Sequence, residues 1–241
     1  MATAGTRRSV TARSVTGGSV TTRSVIGGAE PAVVSRLVNP ARGSAGKSAL
    51  TRQRLIEAAI EALREQGFGG ASARDIASRA HSTQSQVFYH FGTVNDLLLA
   101  ALDDVSARRM ASYRPLLETA RTPTDLIALA RTVVEADVAE GDLKVIVEMI
   151  AGCTRIDGMR EQVATRLAPW FDFAEIAVRK ATTGWPFASL LPVRDLAHAV
   201  VAGILGLELL ASMGGENNRT ATILDRLARV AALIPTPRAS R

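Results

Sequence analysis

The chain has 241 residues, 47% of them apolar, with 29 Lys and Arg against 23 Asp and Glu for a net charge of +6. Its longest uninterrupted apolar stretch, Ala199 to Leu207, is far short of the ~18–20 residues that span a membrane, and no early apolar run has signal-peptide length. One cysteine, Cys153, leaves no internal disulfide, so a cytoplasmic protein is expected.

The excess charge sits at the start. Residues 1–47 carry Arg7, Arg8, Arg13, Arg23, Arg36, Arg42 and Lys47 against Glu30 alone, and everything from Ser48 onward is balanced. The same stretch repeats a degenerate pentad: Arg8-Ser9-Val10-Thr11, Arg13-Ser14-Val15-Thr16, Gly18-Ser19-Val20-Thr21 and Arg23-Ser24-Val25-Ile26. A period of five advances a helix by about 500°, so the arginines drift around the axis and no apolar face forms. Residues 1–47 are therefore expected to be a disordered basic tail. It is either a solvated appendage, including translation from an upstream start, or an arm that follows phosphates. An Arg- and Ser-rich, acid-poor start is also transit-peptide composition, against which the missing amphipathic face argues.

The next element is a helix over Thr51 to Gln66, in which Ile56, Ala59, Ile60 and Leu63 fall at i, i+3, i+4 and i+7. Gly67 ends it, as a left-handed C-terminal cap. Three helix starts then follow in quick succession, Ser72 with Asp75, Thr83 with Gln86 and Thr93 with Asp96, each a hydroxyl residue with a carboxylate or amide three positions later. Two of them bracket a helix too short to stand alone in water, so it must lean on a longer neighbour. Ile76, Ala77 and Ala80 form the apolar side of the second helix, and Val87, Phe88 and Phe91 that of the third. Three amphipathic helices of this size close one small core, as a helix-turn-helix or as a plain helical hairpin.

The run Arg52 to Leu98 resembles the amino-terminal DNA-binding domain of the TetR family of bacterial transcriptional regulators. The matching pieces are AAIEALREQGF, the start SARDIA at Ser72 to Ala77, and VFYHF at Val87 to Phe91 followed by Leu97-Leu98. The resemblance implies a homodimer on a short palindromic operator in double-stranded DNA, usually a repressor released by a small ligand held in a carboxy-terminal helical domain. It places Thr83, Gln84, Ser85 and Gln86 at the start of the recognition helix in the major groove. Gln suits adenine N6/N7 and Ser or Thr suits several base edges. Arg52, Ser72, Arg74, Tyr89 and His90 fall where the family touches phosphates or braces the helix, tasks that suit these residue types. Four positions depart from the family pattern. His81 stands for a turn Gly, Ser82 for an apolar residue, Val94 for a frequent phosphate-binding Lys and Phe88 for a frequent Tyr. His accepts a left-handed conformation better than most non-Gly residues, so the turn is retained.

Beyond the third helix, further helices are expected near 95–112, 124–139, 142–152, 157–181, 192–213 and 218–233. Breaks fall at Pro115, Pro123, Gly141, Gly184 to Pro186, Pro192 and Gly214-Gly215. The fold is thus all-α: a tail over 1–47, a three-helix helix-turn-helix domain over 48–94, and a helical ligand-binding and dimerisation domain over 95–236. Val193 to Met213 is apolar on nearly every face, and its small residues Ala199, Ala202, Gly203 and Gly206 permit close approach of another helix. The resemblance makes this segment part of a four-helix dimer interface. Met110, Tyr113, Leu117, Met149, Cys153, Trp170, Phe173 and Trp185 are the candidate lining of a pocket for an apolar or aromatic molecule, and would look the same as plain core.

His81, His90 and His198 are scattered without metal-ligand spacing, and Glu148 and Glu208 read as buried ion-pair partners or as capped by neighbours, so no enzyme, metal or cofactor is expected. An architectural DNA-binding protein without an inducer is the remaining alternative. If the tail neutralises DNA phosphates, deleting residues 2–46 makes the plot of log affinity against log salt shallower, by about 0.9 for each phosphate it had neutralised. Titrations of duplex DNA at several salt concentrations check this; an unchanged slope leaves the solvated appendage.

Overall fold

Hydroxyl residues at four helix starts, Ser72, Thr83, Thr93 and Thr122, and glycines such as Gly92 and Gly141 at helix ends punctuate a described chain whose regular structure is helical. A computed structural model describes residues 40–185, 188–212 and 218–232. The helices are α1 (Pro40–Gly70), α2 (Ala73–Arg79), α3 (Gln84–Phe91), α4 (Val94–Thr119), α5 (Pro123–Glu140), α6 (Asp142–Cys153), α7 (Met159–Thr182), α8 (Val193–Ser212) and α9 (Asn218–Ala232). A single 3-10 turn lies at Ala188–Leu190. The all-α expectation holds, with no strand among the described residues.

Each expected start is capped on its hydroxyl side. Asp75 N–H donates to Ser72 Oγ at 3.2 Å, Gln86 N–H to Thr83 Oγ1 at 3.3 Å and Asp96 N–H to Thr93 Oγ1 at 3.1 Å. The return arms go elsewhere. Asp75 accepts from Arg79 Nε at 2.7 Å, Gln86 Oε1 from the Ser82 hydroxyl, and Asp96 Oδ2 from Thr93 Oγ1 at 2.7 Å. A fully reciprocal box forms instead at Thr122 and Asp125, behind Pro123 at the first position of α5. The turn before α3 holds His81 at φ 48°, the only positive-φ residue other than glycine among those described.

Three expectations are corrected. The first helix does not wait for Thr51 but runs back to Pro40, so residues 40–47 of the supposed disordered tail are helical; the rest of that tail, its pentads included, lies outside the described residues. Pro115 does not end α4, which continues to Thr119. Tyr113 and Leu117 are buried on either side of the proline, and Lys180 Nζ donates to the Leu117 and Glu118 carbonyls at 2.7 and 3.0 Å, satisfying the end of the helix from across the core. Finally, Phe88 is 49% exposed and is not part of the apolar cluster that Val87 and Phe91 join.

The helix-turn-helix rests on α1 and α4, whose Leu55, Leu63, Leu97, Leu98 and Leu102 are fully buried together with Ile76 and Val87. Arg79 ties α2 to α1 through Glu65 at 2.8 Å. At its far end α1 breaks at Gly67, where φ 71° and ψ −178° lie in a region that only glycine visits cheaply. The break frees a backbone donor, Phe68 N–H, which donates to Glu148 Oε2 on α6 at 3.0 Å, so Glu148 acts as a cap. It also drops the Phe68 ring onto Gly152, where a Cβ would overlap the ring. Asp142, at the start of α6, pairs with Arg64 of α1 and with Arg109 of α4, the latter at 2.5 Å.

Replacing Gly152 by Ala is expected to destabilise the protein by about 1–3 kcal/mol through overpacking against Phe68, despite a gain of ~1 kcal/mol in helix propensity. Gly46→Ala, whose Cβ meets nothing within 4 Å, is the control and should be neutral or slightly stabilising. Urea unfolding of both variants decides the point; equal midpoints remove the close approach as a constraint.

Candidate functional site

The outer surface of the helix-turn-helix is built on α3, a two-turn helix held from behind by Val87 and Phe91. Gln84, Ser85 and Gln86 occupy its exposed first turn, and Thr83 precedes them as the cap. Gln86 is committed to Ser82, whereas Gln84 and Ser85 project from the free side. Tyr89 is 81% exposed and meets half-buried His90 edge to face, with ring centroids 5.1 Å apart. Ser72 is spent on capping α2, and Arg74 stands exposed in the first turn of that helix. Arg52 reaches across from α1, its guanidinium carbon 4.9 Å from the Phe91 ring centroid. The nine residues expected to meet DNA thus lie on the helix-turn-helix and the α1 segment beside it. Phe88 belongs to the same exposed surface and was missed because its spacing from Phe91 and Val87 reads as core. The signal was its other spacing, one turn from Gln84.

On the far side of α6 lies an apolar cavity of about 130 Å³. Leu129 and Val133 of α5, Leu143, Ile146 and Ile150 of α6, Trp170, Phe171 and Phe173 of α7, and Val200, Ile204 and Leu205 of α8 are among its walls. Of the expected lining, Trp170 and Phe173 are there. Tyr113 stands behind Trp170, edge to face at 6.4 Å, and Trp170 Nε1 donates to Ser106 Oγ at 3.2 Å. Leu117, Met149 and Cys153 are core residues outside the lining, the thiol donating to the Ile150 carbonyl at 3.1 Å. Met110 and Trp185 are half-buried and also outside it. The Leu, Ile and Val side chains of α5, α6 and α8 that make most of the wall carry no distinctive chemistry in the sequence.

At the joint of α5, α6 and α8, Asp137 is buried and accepts the Leu143 N–H, while Glu208 lies hydrogen-bonded against it. Burial first, then the Asp137 charge, pushes the Glu208 carboxyl up to about 7, with Lys144 opposing. Burial pushes the Asp137 carboxyl up as well, opposed by the Leu143 N–H, so the two carboxyls share a proton that the backbone donor biases toward Glu208.

Ala199, Ala202 and Gly203 are exposed along α8 and Gly206 is half-buried, and a Cβ on Gly203 or Gly206 would meet nothing within 4 Å. Leu210 is 62% exposed further along the same helix, and α9 exposes Leu227 and Val230. Among the described residues no group of His, Cys, Asp or Glu is arranged to hold a metal, and no helix is long and apolar enough to cross a membrane.

A short outward-facing helix, capped by Thr83 and seated across two others by a tight turn, defines a helix-turn-helix protein. Residues 55–101 match the family model for bacterial regulatory proteins of the tetR family. An HTH-type transcriptional regulator of Mycobacterium tuberculosis is 29% identical over 108 residues, 44% of this chain and 54% of the relative, so the chain spans about half the length of the curated relatives it matches. Among solved structures, a TetR-family transcriptional regulator from Agrobacterium tumefaciens is similar at 14% identity with a TM-score of 0.63, over 76% of this chain and 98% of that one. FadR from Bacillus subtilis, in complex with stearoyl-CoA, is similar at 13% identity with a TM-score of 0.61, over 76% and 99%. At such identities the likeness is one of fold.

The Asp137–Glu208 pair sets a pH dependence. A glutamate whose folded form keeps its proton to about 7, against 4.5 ordinarily, contributes stability that is complete below the lower value and disappears as pH rises through the higher. Glu208→Gln should therefore flatten the stability profile across that window and raise the melting temperature on its alkaline side. Thermal melts of variant and wild type across the window check it; superimposable profiles would show that the pair does not share a proton.

Proposed function

We propose that the chain is a homodimeric transcriptional repressor that grips an inverted-repeat operator with α3 and releases it when an apolar or aromatic small molecule enters the cavity. Residues 48–94 act as the DNA-binding domain and residues 95–236 as the ligand-binding and dimerisation domain. The observation that carries the reading is the exposed polar first turn of α3: Gln84 and Ser85 face outward at the start of a helix that Val87 and Phe91 seat on the core. Thr83, Gln86, Ser72, Arg74, Arg52, Tyr89 and His90 flank or brace them.

The cavity supports the ligand half of the proposal. An apolar space of this size accepts a single aromatic ring or a short alkyl group. The chain of an acyl thioester, like that carried by the similar FadR, requires the walls to open. Helix α6 is the common wall: Leu143, Ile146 and Ile150 face the cavity while Asp142, Glu148 and Gly152 hold α1. The open, small-residue side of α8, at Ala199, Ala202, Gly203 and Gly206, supports dimerisation by close helix packing.

Selection of operators from random DNA by the purified protein should return an inverted repeat. Gln84→Ala should then weaken binding to that operator by about 1–3 kcal/mol while non-specific affinity stays constant, as for a bidentate base contact. A selected site without symmetry, or an unchanged ratio of specific to non-specific binding, overturns the corresponding part of the proposal.

A further inference from the structure

Phe88 is an aromatic side chain with no structural task that the fold reveals. It is 49% exposed, it lies outside the apolar cluster, and it stands one turn beyond Gln84 on α3, with Ser85 and Tyr89 as its neighbours on the open surface. Residues four apart on a helix share a side, and their Cα atoms are separated by about 6 Å along the axis. Gln84 and Phe88 therefore sweep about two base steps of a duplex, each step rising about 3.4 Å per strand. A phenyl ring offers no donor or acceptor to a base edge. Thymine, however, presents an apolar group in the major groove, its C5-methyl, and contact with a phenyl ring removes both from water.

We infer that Phe88 is a specificity-determining residue, which reads the C5-methyl of a thymine within about two base pairs of the base contacted by Gln84. The inference rests on the DNA-binding reading above and adds a base preference to it. Gln84 supplies hydrogen bonds suited to adenine, Phe88 supplies an apolar surface suited to thymine, and Tyr89, 81% exposed beside them, keeps its hydroxyl for the phosphate backbone. The half-site read by α3 is accordingly rich in A·T pairs. Because the methyl alone is recognised, cytosine is rejected at that position and 5-methylcytosine tolerated.

The test uses the full chain and its selected operator. Each thymine is replaced by deoxyuridine in turn, symmetrically in both half-sites, which removes one methyl group and leaves base pairing and every hydrogen-bonding edge intact. Wild type should bind about three- to fivefold more weakly per methyl removed at one position, the value of a buried methyl group. Phe88→Ala should bind the thymine and deoxyuridine operators equally, while Phe88→Leu keeps part of the discrimination. Circular dichroism and melting of Phe88→Ala should match wild type, since the ring lies outside the core. If no thymine responds to deoxyuridine, or if Phe88→Ala discriminates as wild type does, the inference is overturned while operator binding stands. Failure to select any operator overturns the DNA-binding reading beneath it.

Discussion

The break of α1 at Gly67 and its seating on α6 is the constraint on which the rest of the molecule depends. A straight helix would carry Phe68 past α6; the conformation at Gly67 instead turns the ring onto Gly152 and presents the Phe68 N–H to Glu148. Both glycines are needed, one for its backbone conformation and the other for its missing side chain. The same seam is fastened by Asp142 between Arg64 and Arg109, with Arg109 also meeting Glu140 at 3.2 Å. Buried pairs of this kind add little net stability over apolar packing, yet removing one partner is costly, so they act chiefly to fix how the helices meet.

That seam gives α6 two audiences. One side is bound to α1, and hence to the helix-turn-helix, by polar and ring contacts; the other is the wall of an apolar cavity shared with α5, α7 and α8. On the proposed function, a ligand that swells the cavity selects between placements of α6 rather than bending it, since close-packed interiors do not deform smoothly. It can shift them only by its difference in affinity for the two. The Asp137–Glu208 pair lies on the same joint, where α5 passes into α6 beside α8, and adds a proton to the terms that set this geometry.

The exposed surfaces divide by chemistry. Around α3 they are small, polar and aromatic, with Thr83, Gln84, Ser85, Phe88 and Tyr89 side by side. Along α8 and α9 exposed aliphatic side chains, Leu209, Leu210, Leu227 and Val230 among them, stand beside charged residues such as Arg226 and Arg229. On the proposed function the first meets DNA and the second another helical surface. Charge is not what marks the α3 face, which carries no Lys or Arg of its own within the helix.

What the sequence determined by itself was local. Ser72, Thr83, Thr93 and the glycines act on backbone groups within four residues, so the starts of α2, α3 and α4 and most helix ends were legible without tertiary information, whereas the start of α1 was not. The positive φ of His81 was legible from the family resemblance, which puts a Gly at that turn, and from the tolerance of His for a left-handed conformation. Tertiary structure decided everything that depends on how helices are rotated against one another. One residue along a helix is about 100° around it, so a stripe of apolar letters leaves open which of its edges meets the core. Hence Phe88 turned outward, Tyr113 and Met149 fell behind the cavity wall rather than in it, and Pro115 was carried through α4 by burial on both sides and by Lys180 from α7. The Arg64–Asp142–Arg109 link joins residues far apart in the chain, and only the folded molecule brings such charges together.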